Sequence, residues 1–316
     1  MSAAPEIAIA TSIPPRTTRE QGGFNIGAQY QADCVASWVA AGFKILSVNV
    51  PDEIPLLAER FPQVEFVPAE RDARAIAGRP TPLIEDLLRA LARQEQSIVG
   101  IVNADLCMAV SDNWADYIRP AIESTILIGH RLDLPSWSTA AGELQATGIP
   151  YTGGFDLFFF ERDAIDKCLS ADSAPNCYSI GMPWWDFWLP TVFALQGYRV
   201  ALLEKLVAGH LIHPVKYDPA AWEYMGAQFA LYVQRHALNG VAQSVPELAA
   251  VIERARVIEP RAAKEIRSWT RERPLAERGD KFSERYRINL EYFCGETLMT
   301  LRNAIGGERA RSHAAE

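Results

Sequence analysis

The strongest constraint on the fold is an alternation of short apolar runs with amphipathic segments over the first hundred residues. The apolar runs predict four strands: Glu6–Ser12, Lys44–Val50, Val64–Val67 and Ser97–Val102. The segments between them predict three helices: Gln29–Ala41, Asp52–Arg60 and Pro82–Arg93. Strands that alternate with helices in this way predict an α/β fold with a mostly parallel central sheet and helices on both faces.

The pattern changes in the second half of the chain. Apolar runs predict three further strands: Ile126–Gly129, Phe155–Phe160 and Tyr198–Leu203. The stretch 135–152, rich in Pro, Ser, Thr and Gly, is typical of a loop, and a helix is predicted from Pro183 to Leu195. Helical patterns dominate from Pro219 onward. We therefore divide the chain into an α/β domain at 1–217 and a helical C-terminal region at 218–316.

Charge and cysteine usage narrow the function classes. The chain has 31 Lys and Arg against 39 Asp and Glu, and the resulting net charge of −8 argues against a nucleic-acid-binding protein. The five cysteines form no CxxC pair, which favours a reducing cytoplasm over a disulfide framework. No basic segment opens the chain, and no apolar run approaches the roughly 18 residues that a membrane span needs. We expect a cytoplasmic protein that does not span the membrane; a peripheral place at the inner membrane face stays open.

Ligands of open parallel sheets bind outside the carboxyl ends of the strands. Polar residues follow three of the predicted strands, at Thr11–Arg16, Asn49–Glu53 and Asn103–Asp105. Asp105 is the first candidate, because a carboxylate at this edge suits Mg²⁺ or Mn²⁺ held together with substrate phosphates. The alternative is that Asp105 only caps or turns the chain after a strand.

Two histidines, His210 and His213, are the second candidates. A neutral imidazole can complete a metal shell, and Lys216 close by can meet a phosphate as a point charge. The alternative is a pair of ordinary core or loop histidines. Pro214 argues against a helix here, so a spacing of three predicts that at most one of the two rings points into the site.

Asp186 is the third candidate, because it stands among Trp184, Trp185 and Trp188. Desolvation by the indoles would raise the pKa of its carboxyl, which suits a general base, and indole faces stack on sugar rings. The alternative is a helix-start position for Asp186, with the tryptophans in the core.

Weaker candidates stand at the edges of apolar segments and in loops. Asp156 and Arg131 could serve a site or form an ordinary salt bridge. Arg16, Arg71 and Arg79 could meet a diphosphate or be merely solvated. The sequence lacks the GxGxxG, GxxxxGK[ST], GxSxG and HExxH motifs, so it carries no dinucleotide fingerprint, P-loop, nucleophile elbow or zinc-protease helix.

Taken in order, these pieces resemble a GT-A-type glycosyltransferase over roughly residues 6–217. The first strand and loop, Ile7–Arg16, resemble the nucleotide-binding start of that fold. Asn103-Ala104-Asp105 stands where that family has its DxD metal motif, with Asn in place of the first Asp. A Gly-rich turn and strand at Gly153–Phe160, followed by Trp184-Trp185-Asp186, resembles the acceptor side.

The resemblance implies transfer of a sugar from a nucleotide-sugar donor to a glycan or other hydroxyl acceptor, with help from Mn²⁺ or Mg²⁺. Asp186 would be the catalytic base of an inverting enzyme; in a retaining one, Asp186 or Asp156 would orient the acceptor. The implied metal ligands are Asp105, His213 and His210. The implied donor-site residues are Thr11, Ile13, Arg16, Asn49, Arg79, Asn103, Ala104, Arg131 and Lys216. The implied acceptor residues are Gly154, Trp184 and Trp185.

The helical C-terminal region would then cover the acceptor side or build a homo-oligomer contact. Two other functions stay open. A nucleotidyltransferase that makes a nucleotide sugar shares the sheet and the metal carboxylates, although it usually has a Gly-rich basic loop where this chain has TSIPPR. A non-catalytic scaffold that binds a nucleotide or sugar is favoured by Asn103.

Overall fold

The structure is a computed structural model. It describes residues 5–109, 114–138, 148–151, 153–170, 177–203, 208–213, 219–236 and 245–256. The strands in these ranges are β1 (Ile7–Thr11), β2 (Glu20–Gln21), β3 (Phe24–Asn25), β4 (Phe43–Asn49), β5 (Glu65–Pro68), β6 (Ile98–Val102), β7 (Cys107–Met108), β8 (Thr125–Gly129), β9 (Arg131–Leu134), β10 (Ile149–Tyr151), β11 (Leu157–Glu161), β12 (Arg199–Leu202) and β13 (Ala208–Leu211). The helices are α1 (Gly27–Ala40), α2 (Ile54–Ala58), α3 (Arg74–Ala77), α4 (Ile84–Ala92), α5 (Trp114–Ile118), α6 (Ala164–Ser170), α7 (Trp185–Leu195), α8 (Pro219–Arg235) and α9 (Pro246–Arg256).

The main sheet has seven strands in the order β12-β8-β11-β6-β1-β4-β5. Six of them run in the same direction, and β11 alone among the seven runs antiparallel to its neighbours β6 and β8. Gly100 of β6 makes this pairing close, because a Cβ there would lie 2.6 Å from the backbone oxygen of Phe158. The prediction of a mostly parallel α/β sheet is confirmed.

Both faces of the main sheet are covered. Ala8 and Ala10 of β1 face a core shared with α4, α6, α7, α8 and α9, whereas Ile7 and Ile9 face a core shared with α1 and α5. Alternate residues of a strand point to opposite faces, so one buried strand supports two cores. The described helices of the C-terminal region belong to the first core, where Phe229 stacks on Trp184.

A second sheet has the order β10-β9-β13-β7. It contradicts part of the loop predicted at 135–152, since Ile149–Tyr151 is a strand paired with β9; residues 139–147 lie outside the described ranges. These strands have only two to four residues and include charged side chains, so they lack the apolar run that indicates a strand. None of the described helices is long and apolar enough to cross a bilayer.

The two sheets meet at the carboxyl edge of the main sheet. The chain leaves β6 through Asn103–Asp105 to enter β7, and it leaves β8 through His130 to enter β9. Side chains on these two short connections therefore lie between the sheets, where β13 also carries His210. The connections between the two sheets thus bring polar residues together at this edge of the main sheet.

Candidate functional site

Asp105 is the centre of a charged cluster just beyond the end of β6. Its Oδ2 atom lies 3.3 Å from Nε2 of His210 and 3.3 Å from Nε2 of His213. Nη2 of Arg19 donates to the same oxygen over 2.8 Å. The backbone oxygen of Asp105 accepts a hydrogen bond from the Tyr30 hydroxyl, which fixes the main chain. One carboxylate oxygen thus faces two imidazoles and a guanidinium.

These neighbours keep Asp105 ionised. Burial disfavours the charged carboxylate, but His210, His213 and Arg19 outweigh burial and lower the pKa of Asp105 well below its usual range. At His210, burial likewise opposes charge, yet the carboxylates of Asp105 and Asp133 raise its pKa above the ordinary value. The carboxylates of Asp105 and Asp133 thus favour the protonated form of His210.

Asp133 orients the His210 ring from behind. β9 and β13 run side by side with Asp133 opposite His210, and Oδ1 of Asp133 accepts a hydrogen bond from Nδ1 of His210 over 2.9 Å. Nε of Arg131 donates to the same Oδ1 atom over 2.8 Å. A carboxylate that holds one ring nitrogen aims the other at the site, as is common behind metal-binding histidines.

The expectation that at most one of the two histidines enters the site is wrong. Both His210 and His213 reach Asp105, and their ring centroids lie 5.0 Å apart. The prediction that this segment is not a helix is confirmed, because His210 lies in strand β13. The strand ends at Leu211, so the alternation of side chains along an extended strand does not continue to His213. The residues after the strand bring the second ring to the same carboxylate.

A second polar group lies beside the first and joins the two sheets. The side-chain amide of Asn103 donates to Oδ1 of Asp156 over 2.6 Å, and Nη1 of Arg131 donates to the same atom over 2.8 Å. Asp156 is only 4 % exposed, and its Oδ2 atom has no hydrogen-bond partner among the described residues. An ordinary salt bridge was the alternative for each of Asp156 and Arg131; the two residues pair with each other, and the pair lies within the site.

Asp186 lies next to Asp156, in the first turn of α7. Burial and, secondly, the charge of Asp156 raise the pKa of Asp186 to about 7, although backbone N–H groups such as that of Phe155 favour the ionised form. The Phe155 N–H donates to Oδ2 of Asp186 over 3.2 Å. A carboxyl that titrates near neutral pH can accept a proton from a hydroxyl and release it again.

The Gly153–Gly154 turn makes room for this carboxylate. A Cβ on Gly154 would lie 2.5 Å from Oδ2 of Asp186, so a larger residue at this position would displace the end of the Asp186 side chain. Tyr151 flanks the turn, and the guanidinium of Arg131 stacks on its ring at 4.0 Å. Trp184, just before α7, has a φ of 73°, a strained left-handed conformation for a large side chain.

Trp184 and Trp185 do not present the predicted sugar-stacking surface in this structure. Each is 2 % exposed. Trp184 stacks against Phe229 of α8, and Trp185 packs on Phe158 of β11. Their indoles belong to the hydrophobic core next to Asp186, because strand β11 and helix α8 cover them. Gly154, the third predicted acceptor residue, does lie at the site.

The loop after β1 is hydrogen-bonded to side chains at the carboxyl end of β4. Ser47 accepts the backbone N–H of Ile13 over 2.9 Å, and the Asn49 amide donates to the backbone oxygen of Ile13 over 2.9 Å. Thr11, Ile13 and Asn49 are fully buried. Asn49 thus shapes the loop, and donor contacts of these three residues stay predictions.

The remaining predicted donor residues are spread around the edge. Arg16 and Arg79 are exposed, and Ala104 is partly exposed beside Asp105. Arg71 is paired with Glu85 and Asp86. Lys216 lies outside the described residues.

Arg19 and Asp133 were not identified from the sequence. Neither belongs to a motif, and their partners are 86 and 77 positions away in the chain. The signal available for Asp133 was its place two residues after Arg131 in an alternating segment. Arg19 gave no signal, because its role depends on how the loop after β1 folds back.

The donor set around Asp105 fits a divalent cation. One ligand atom from each of Asp105, His210 and His213 lies within 4.8 Å of the others. Asp133 supplies the second layer that such sites use. Two imidazoles with one carboxylate favour a transition metal such as Mn²⁺ over Mg²⁺, which prefers oxygen ligands.

Comparisons with known proteins give a distant structural likeness. No known family model matches the chain, and no curated protein matches it. Among solved structures, S. aureus TarS 1-349 in complex with UDP-GlcNAc is 11 % identical, with a TM-score of 0.48, over 95 % of this chain and 81 % of that one. The same protein in complex with UDP is 10 % identical, with a TM-score of 0.47, over 96 % and 91 %.

A third similar structure is the bifunctional IspDF from Campylobacter jejuni. It is 13 % identical, with a TM-score of 0.37, over 63 % of this chain and 50 % of that one. At these TM-scores the likeness does not identify a family. The chain has a mixed α/β fold with a large, mostly parallel sheet flanked by helices, and its function rests on the site geometry.

Proposed function

We propose that this protein is a glycosyltransferase that moves a sugar from a nucleoside-diphosphate donor to a hydroxyl acceptor. One observation carries the proposal: a cation-binding donor set around Asp105 and a proton-accepting carboxyl, Asp186, lie at the same sheet edge. Asn103 joins them, since it precedes Asp105 by two residues and bonds to Asp156 beside Asp186. Transfer to a hydroxyl needs a charge sink for the leaving group on one side and a base on the other.

On the donor side, Asp105, His210 and His213 would hold the cation. When bound, the cation would neutralise charge that develops on the departing diphosphate. Asp133 would keep Nε2 of His210 aimed at the cation while Arg131 balances the charge of Asp133. Arg16, Arg79 and Lys216 stay candidates for further phosphate contacts.

On the acceptor side, Asp186 would act as the general base of an inverting reaction. The acceptor O–H bond breaks as its proton passes to the Asp186 carboxylate, and the oxygen bonds to the anomeric carbon. The bond from that carbon to the diphosphate oxygen breaks, and its electron pair leaves with the diphosphate. The Phe155 N–H would hold Asp186 in place during this transfer.

The acceptor, the cytoplasmic location and a homo-oligomer built through the C-terminal region remain part of the proposal. The proposed acceptor is a glycan or another compound with a free hydroxyl. The division into 1–217 and 218–316 also stays a prediction.

Turnover of nucleotide sugars tests the proposal. We expect Mn²⁺-stimulated release of nucleoside diphosphate from one member of a panel of UDP-, GDP-, CDP- and dTDP-sugars. The Asp186→Asn variant should lose this release while it still binds the donor, and Asp163→Asn, on an exposed turn, should match the wild type.

Two results would point to the other functions. Release of pyrophosphate from a nucleoside triphosphate and a sugar phosphate would favour a nucleotidyltransferase. Donor binding without any turnover, together with an unchanged Asp186→Asn variant, would favour a non-catalytic scaffold.

A further inference from the structure

The Arg19 guanidinium binds the carboxylate oxygen of Asp105 that a bound cation would also use. Its Nη2 atom lies 2.8 Å from Oδ2 of Asp105, and its side chain is only 11 % exposed. His210 and His213 approach that same oxygen. A metal ion on the oxygen would place a second cation against the guanidinium, and two like charges at such short range repel strongly. Metal and guanidinium therefore compete for Asp105.

The Arg19 guanidinium also has an unused donor. Its Nε atom is buried and has no hydrogen-bond partner among the residues that the structure describes. Among the described residues, Nη1 donates to the adjacent backbone oxygen of Thr18. A diphosphate offers several oxygens to a guanidinium, which binds such groups through paired N–H donors. The ligand of the proposed function would thus give Arg19 a new partner.

The main chain at Arg19 is fixed, so the side chain alone can exchange partners. The Arg19 N–H donates to Oδ1 of Asn25 over 3.1 Å, and its backbone oxygen accepts the N–H of Ile26 over 2.7 Å. Gly27 packs against the preceding turn, where a Cβ would collide with the backbone oxygen of Thr17. Substitution of the Arg19 side chain should therefore leave the loop in place.

We propose that Arg19 couples cation binding to diphosphate binding. The inference rests on the proposed function, because it needs both ligands at this site. The cation displaces Arg19 from Asp105, and the diphosphate then accepts the released guanidinium. Each ligand thereby raises the affinity for the other, and the coupling is reciprocal. Each ligand therefore binds less tightly alone than it does when the other ligand is already bound.

The test measures Mn²⁺ binding by electron paramagnetic resonance and diphosphate binding by calorimetry in the full chain. The diphosphate is whichever of UDP, GDP, CDP and dTDP stabilises the wild type most. Arg19→Gln should tighten Mn²⁺ binding without diphosphate by about threefold, because the competitor is gone. It should weaken diphosphate binding at saturating Mn²⁺ by about tenfold. Arg19→Lys, which keeps the charge, should fall between, and Arg119→Gln on the surface should match the wild type.

The opposite signs are the diagnostic result. An Arg19→Gln variant that weakens both ligands would show a merely structural residue and overturn the inference, as would one that changes neither. If the wild type binds neither Mn²⁺ nor any of the diphosphates, the proposed function falls and this inference falls with it. If the wild type binds both ligands and the Arg19 variants bind them equally well, the role of Arg19 is ruled out while the proposed function stands.

Discussion

The side-chain amide of Asn103 donates a hydrogen bond to Oδ1 of Asp156 over 2.6 Å. Asp156 is almost fully buried and receives a second donor from Arg131. A carboxylate at position 103 would face the carboxylate of Asp156 instead of donating to it. The contact therefore gives a physical reason for an amide, and not a carboxylate, at position 103.

We predict that Asn103→Asp lowers the free energy of unfolding by about 1–3 kcal/mol, because it removes one of the two donors to the buried Asp156 carboxylate and adds a like charge. The exchange of both residues, Asn103→Asp with Asp156→Asn, should recover part of the loss. Chemical denaturation at pH 7.5 measures both. Asn103→Ala is the control without added charge and should cost less. Wild-type stability in the Asn103→Asp variant would show that the hydrogen bond is unimportant.

The pH dependence of stability reports on Asp186. Its pKa is raised to about 7 in the folded state, against about 3.9 in the unfolded chain, so the folded state retains a proton between these values. The stability that this proton confers is present in full below pH 4 and is lost as the pH rises through 7. From pH 5.5 to 8 the wild type should lose about 2 kcal/mol relative to Asp186→Asn.

Paired denaturation curves of the two proteins at each pH check this prediction. Titrating groups that do not interact with Asp186 contribute equally to both proteins and cancel in the difference. A constant difference from pH 5.5 to 8 would mean that Asp186 ionises outside this range. Under the proposed function the same ionisation makes donor turnover rise with pH through about 7.

Gly154→Ala should impair catalysis more than folding. The added Cβ would meet Oδ2 of Asp186 at 2.5 Å and push the end of that side chain away from its position. We expect turnover to fall by roughly a hundredfold, since small misplacements of a reacting group are costly. Donor affinity and the melting temperature should change little. Gly153→Ala, whose Cβ would meet the Tyr151 ring instead, is the matched control; equal losses in both variants would contradict this account.

Asp133→Asn tests the layer behind the cation site. Asparagine keeps the shape of Asp133 but removes the charge that holds Nδ1 of His210. We predict that Mn²⁺ affinity falls by about 10- to 100-fold while the fold remains intact. Calorimetric titration with Mn²⁺ measures the change. An unaltered affinity would show that His210 needs no such support or does not bind the metal.

The main sheet could be predicted from the sequence because its strands are continuous apolar runs. All seven predicted strands are present, with ends within two residues of those observed. The second sheet was missed because segments such as Arg131–Leu134 are short and carry alternating charges. Their extended form depends on pairing with strands distant in the chain, as β9 does with β13.

The site could be predicted in part for the same reason. Asp105 and Asp186 could be identified from neighbouring residues in the sequence, since Asp105 follows an apolar strand and Asp186 stands among tryptophans. Asp133 and Arg19 have no local signature, because each becomes part of the site only through tertiary contacts with His210 and Asp105. The burial of Trp184 likewise depends on α8, which the pattern of residues around it does not reveal.

The most direct test of the central claim is a thermal-stability screen of the wild type and Asp105→Asn with Mn²⁺, a nucleoside diphosphate, or both. A ligand that binds only the folded state must raise the melting temperature. We predict that one of UDP, GDP, CDP and dTDP together with Mn²⁺ stabilises the wild type more than either ligand alone, and that Asp105→Asn loses this gain. No shift with any diphosphate, or an equal shift in Asp105→Asn, would contradict a cation-assisted diphosphate site at Asp105.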